Sequence, residues 1–200
     1  MRLFILLTFL FFHCCLHAQN TPITLKIAAS ATDSAIVMVN TQTDEGCSFM
    51  NAKEKEVIQW INIARMYPRW FIYFNQLTPS ADTFQNGLYK TLKTMRPIKE
   101  KLEPDSMLWL GAYCHAKQSG ITAYVGHDRR GAGCKKNFWA ECISYGRGDA
   151  KSHVVRLLID KGIKSLGHRK NCLNPSLKLV GVSEQDHKSR YKKIIVIDFK

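Results

Sequence analysis

Three short segments bring chemically able side chains next to glycine or a sharp turn. They are Gly126-His127-Asp128, Ala140-Glu141-Cys142-Ile143 and Gly167-His168-Arg169-Lys170-Asn171-Cys172-Leu173-Asn174-Pro175. An imidazole can hold a metal or move a proton near neutral pH, and a carboxylate can serve as a general base. Singly, each segment is a weak signal, because a lone histidine beside glycine is more often a loop residue than a ligand. No HExxH helix of the metalloprotease kind occurs, and residues 126–133 are glycine-rich without the Gly-Lys-Ser/Thr of a phosphate loop. No CxxC pair indicates a zinc ribbon or a thioredoxin-like site. A Cys–His nucleophile built from Cys142 with His127 or His168 has no motif behind it.

The spacing of apolar residues predicts the elements that must position these segments. A helix opens after Asn51, whose side chain can cap while Glu54 stands three residues on. Val57, Ile58, Ile61 and Ala64 form its buried stripe, and Pro68 ends or bends it. A second helix spans about 82–96, with Phe84, Leu88, Leu92 and Met95 on one face. A third follows Asp105, shares Leu108, Ala112, His115 and Ala116 on one face, and is expected to stop at Gly120. His115 on that apolar face reads as a core histidine. A fourth opens at Asp149 with Val154, Val155, Leu157 and Leu158. Strands are expected over 139–145, 179–183 and 194–199, the last two forming a hairpin around a charged loop, 184–193. Trp60, Trp70, Trp109 and Trp139 read as core aromatics. Helices and strands interleave without the beat of repeated βαβ units, so an α+β sandwich is expected.

Together and in this order, these features resemble the CAP family (the cysteine-rich secretory, antigen 5 and pathogenesis-related 1 type, also called SCP-like) over residues 50–200. The first helix carries Asn62 and Arg65 at the family's spacing, and Leu102, Asp105, Leu108, Leu110 and His115-Ala116 resemble its next motif. The Gly-His, the glutamate strand, the Gly-His-Arg-x-Asn turn, Leu179-Val180-Gly181-Val182 and a closing strand at Ile197-Asp198-Phe199 complete it. The resemblance implies a three-layer α-β-α sandwich with a cleft lined by His127, Glu141, Asp160 and His168. Asp160 is an aspartate where many members have glutamate, and Cys142 stands where an asparagine commonly follows the glutamate. The resemblance is to the compact, bacterial-style members, so the later cysteine-rich module of many animal members is not expected.

Two neutral imidazoles with one or two carboxylates suit zinc or a similar divalent cation, here through His127 and His168. Glu141 would then be the general base of a metal-activated water. The competing reading is that two His–carboxylate pairs satisfy each other and pin the cleft loops. A binding role is expected over an enzymatic one, with a lipid or sterol, a cell-surface component or a protein as partner. The alternative is a metal-dependent, peptidase-like hydrolase.

Residues 1–18 read as a signal peptide: Arg2, an apolar run over 3–12, and the small Ala18 before a cleavage point. The run is shorter than the roughly 20 residues of a membrane span. Residues 19–49 read as an extension or linker, in which 23–27 alternates like a strand. The product is expected outside the cytoplasm, secreted or periplasmic, without a transmembrane segment. Lys and Arg outnumber Asp and Glu by 29 to 16, which favours anionic partners. The charges are scattered and no nucleic-acid motif is present, so a basic solvated surface is the simpler account, and no nucleic-acid partner is expected. A wall or polyanion partner is a weaker alternative. Cleavage would leave Cys47, Cys114, Cys134, Cys142 and Cys172, an odd number, with Cys114 and Cys172 in apolar contexts that suit small buried hydrophobes.

Overall fold

The computed structural model describes residues 33–43, 47–129 and 134–200. The chain divides into two compact units, Met1–Ala35 and Ile36–Lys200. Of the first, only residues 33–35 are described, and they are helical. The expected signal peptide and the strand-like 23–27 lie outside the described residues.

In the second unit, helical residues 36–41 (α1) lead towards α2 (Ala52–Met66). Thr43 donates to the Lys55 carbonyl at 2.9 Å and Gln59 donates to that of Met38 at 2.9 Å. Residues expected as linker therefore pack on the first long helix. That helix starts where its cap dictates: Asn51 Oδ1 accepts from Glu54 N–H, and Glu54 accepts from Asn51 N–H, each at 3.0 Å. Pro68 occupies the first turn of α3 (Pro68–Phe74), where a missing N–H does no harm. Asp82 caps α4 (Thr83–Thr94), Asp105 caps α5 (Ser106–Thr122) and Asp149 caps α6 (Ala150–Ile159), each accepting from first-turn N–H groups. The short α7 (Gly167–Cys172) follows.

Four strands form one mixed sheet in the order β1-β3-β4-β2, made of β1 (Glu103–Pro104), β2 (Ala140–Tyr145), β3 (Leu179–His187) and β4 (Lys192–Phe199). The pair β1/β3 is parallel, while β3/β4 and β2/β4 are antiparallel. Strand alternation divides β4 between two packing clusters. Ile195, Ile197 and Phe199 join Ile58 and Ile61 of α2 and Val154 and Leu158 of α6. Ile194 and Val196 join Ala112 and Ala116 of α5. The architecture is α+β with helices packed against a four-stranded mixed sheet.

Several expectations need correcting. The helix α5 runs through Gly120 to Thr122 and stops at Ala123, at φ 57°. Gly120 serves close approach instead, since a Cβ there would lie 2.0 Å from the Asp186 carbonyl oxygen. The hairpin strands extend into the charged segment expected as loop, because Asp186 pairs in register with Lys193 and His187 with Lys192. Cys114 is bonded to Cys134, so it is a cross-link rather than a small hydrophobe. Trp139 is 70% exposed and is no part of the core.

Candidate functional site

The structure brings the four expected residues together as two histidine–carboxylate pairs. His127 Nδ1 lies 2.7 Å from Glu141 Oε1, and His168 Nδ1 lies 2.7 Å from Asp160 Oδ1. The two imidazole centroids are 6.3 Å apart, with planes inclined at 30°. Both carboxylates are nearly buried while the rings reach outwards, the His127 side chain being 58% exposed and that of His168 21%. Among the described residues, no hydrogen-bond partner takes either Nε2.

Each residue is held by a different local device. His127 follows Gly126, whose φ of +147° and close approach to the Tyr124 ring favour glycine. Gly126 donates its N–H to the Tyr145 hydroxyl at 3.0 Å, and its carbonyl meets His115 Nε2 at 3.1 Å. His115 is therefore a buried histidine that supports the His127 turn. Glu141 lies on β2, directly opposite Asp198 of β4. Asp160 ends α6 in the left-handed region at φ 56°, and its Oδ2 accepts from the backbone of His168 at 3.0 Å and of Arg169 at 3.3 Å. One aspartate thus fixes both the His168 ring and the start of α7.

Two arginines fasten α7. Arg169 donates Nε to the Leu158 carbonyl at 2.6 Å, and one terminal nitrogen to Ile159 and Phe84 carbonyls at 2.8 and 2.7 Å. Arg65, fully buried, donates to the carbonyls of Cys172, Asn174 and Leu177 at 3.2, 2.8 and 2.9 Å. One turn earlier on α2, Asn62 exchanges two hydrogen bonds with the Leu102 backbone at 2.7 and 3.2 Å. The sequence spacing of Asn62 and Arg65 thus corresponds to two buried polar anchors.

Beneath the first pair lies a charge cluster that sequence reasoning missed. One Arg129 guanidinium nitrogen donates to Glu141 Oε2 and to both Asp198 oxygens, at 2.6 and 2.7 Å for the latter. Burial pushes Asp198 up to about 7, against the pull of Arg129 and helped by the negative Glu141. Burial also opposes ionisation of Glu141, yet the His127 bond and the Arg129 charge outweigh it and hold this carboxyl below its ordinary range. The Glu141 bond in turn raises His127 above the usual histidine value, against partial burial. A signal for Asp198 was present, a carboxylate inside the apolar run 194–199. Arg129 sits in a loop without periodicity and gave none.

This geometry bears on the chemistry of each residue. Glu141 was expected as a general base, but its two oxygens are engaged by His127 and Arg129. It is placed to orient a ring and hold its tautomer. Cys142 is fully buried, and burial raises its thiol well above the ordinary value, with Cys172 beside it adding to the rise. That environment opposes a nucleophilic thiolate. Among the described residues, no group of three or more His, Cys, Asp or Glu side chains converges as a ready metal-binding set. The two open Nε2 atoms remain as a two-nitrogen donor set with carboxylates behind both rings. A tetrahedral zinc shared by the two rings would need their centroids roughly 5.2 Å apart, about 1 Å closer than the 6.3 Å observed, so the rings would have to close on it. No protein-family model matches the chain, and no curated protein matches it.

Proposed function

We propose that this chain is an exported CAP-type binding module, with the α-β-α sandwich of that family, whose cleft takes a divalent cation on His127 and His168. The observation that carries this reading is the pairing of each Nδ1 with a buried carboxylate, which leaves both Nε2 atoms open. A carboxylate behind a ligating histidine fixes its orientation and raises its basicity. A bound zinc would supply Lewis acidity, with water filling its remaining positions. Binding is favoured over hydrolysis because Glu141 has no uncommitted oxygen with which to take a proton from that water. Export is supported by the Cys114–Cys134 disulfide, a bond that persists in oxidising compartments. No helix among the described residues is long and apolar enough to cross a membrane.

A lipid or sterol as the principal ligand rests on a separate feature. A depression of about 350 Å³ is lined by Tyr67, Pro68, Trp70, Met95 and Pro97, with Arg69 at its side. Its aromatic and thioether walls suit a hydrocarbon chain, and such binding would persist at high salt, because apolar burial drives it.

The metal reading is tested by Asp160→Asn, which keeps a residue that tolerates the left-handed conformation. Weaker orientation of His168 is expected to lower zinc affinity about 10–100-fold while the far-UV spectrum stays unchanged. Unchanged affinity in the folded variant would refute the role given to the His168–Asp160 pair.

A further inference from the structure

Behind the two histidine–carboxylate pairs lie two further reactive groups that the metal reading does not use. Cys142 follows Glu141 on β2, and Cys172 closes α7 one turn after His168. Their sulfurs are 4.0 Å apart and both residues are fully buried in one apolar cluster. The surrounding backbone is already clasped: Asn171 Nδ2 donates to the Glu141 carbonyl at 3.1 Å, and the Cys142 thiol points to the His168 carbonyl at 3.7 Å. A disulfide needs its sulfurs at ~2.05 Å, so each sulfur must move about 1 Å, within reach of a modest side-chain rotation.

We propose that Cys142 and Cys172 are a disulfide-forming pair, a covalent staple between the strand that carries Glu141 and the helix that carries His168. The oxidant is a low-molecular-weight disulfide or a disulfide-carrying oxidoreductase, the same class of reagent that the Cys114–Cys134 bond requires. One cysteine thiolate attacks a sulfur of that disulfide, forms a mixed disulfide and releases the first thiol. The second thiolate then attacks the bound cysteine sulfur and releases the other. Two S–H bonds and the oxidant's S–S bond break, one protein S–S bond forms, and both protons and both electrons leave on two small or carrier thiols. Because neither sulfur reaches solvent in the folded chain, exchange takes place during folding, or when α7 lifts from β2. Closure links residues 30 apart in sequence and removes loop entropy from the unfolded chain.

Trypsin separates the two sulfurs onto different peptides, residues 137–147 and 171–178, each with a single cysteine. The protein is folded with excess oxidised glutathione, unfolded without reductant, alkylated with iodoacetamide, digested and weighed. The expected product is the two peptides joined, with neither cysteine alkylated. Recovery of both peptides alkylated, or of either joined to a different cysteine, would overturn the proposal. A second readout compares melting temperatures with and without reductant in the wild type and in Cys172→Ala. The wild type should lose about 10 °C more than the variant, which cannot form the staple but keeps the Cys114–Cys134 bond. Equal losses would contradict the staple.

Discussion

At the scale of single residues, the site is a set of buried charges made tolerable by specific partners. Arg129 stands between Glu141 and Asp198, and a single terminal nitrogen of its guanidinium serves two carboxylates that would otherwise repel. His153 shows the opposite solution. It is fully buried on α6 with Ser144 Oγ 2.9 Å and an Arg156 nitrogen 3.0 Å from its Nδ1. Burial, reinforced by the neighbouring Arg156 and Lys53 charges, depresses its pKa from 6.5 to about 4. The unfolded chain therefore takes up a proton below about 6.5, and the folded chain does so only near 4. Between those values the unfolded state binds more protons, so stability falls as pH drops, by on the order of 3 kcal/mol in full. Replacing His153 with Gln should flatten urea-derived stability between pH 6.5 and 4 relative to wild type, and parallel slopes in the two proteins would refute this assignment.

At the scale of elements, close approach of backbones decides where the site residues stand. Gly181 of β3 faces α5 so tightly that an added Cβ would lie 2.0 Å from the Trp109 nitrogen and 2.2 Å from the Leu108 carbonyl carbon. Neither is a movable side-chain tip, so Gly181→Ala must displace the helix or the strand. A loss of about 3 kcal/mol or more is expected in denaturant melts, with disturbance of His115 and hence of the His127 turn. A variant as stable as the wild type would show that α5 and β3 yield more readily than their packing implies. The four helix starts were legible in the sequence because Asn51, Asp82, Asp105 and Asp149 place an acceptor at each N-cap. The two-residue β1 was not, since Glu103 and Pro104 carry no strand pattern and are held by backbone bonds to β3. Nor was α7 as a helix, because it opens from Leu166 in the left-handed region without a side-chain cap. Tertiary anchors from Arg65 and Asp160 set its place instead.

At the scale of the whole molecule, the site exists only because a loop, a sheet strand and two helices converge. The family resemblance implied that His127, Glu141, Asp160 and His168 stand together, and the structure sets them as two neighbouring histidine–carboxylate pairs. What stayed hidden was the layer beneath, Arg129 and Asp198, because their meeting depends on the register of β2 against β4 and on a loop with no periodic signal. The net charge of +13 in the full sequence does not itself locate a site, and the open imidazoles stand out through geometry rather than through charge. The central claim is that these two rings form a cation site. Calorimetric zinc titration of the wild type against the His127→Ala/His168→Ala double variant tests it most directly. The account predicts one zinc per chain in the wild type and none in a double variant that keeps its fold. Equal and negligible binding by both proteins would contradict it.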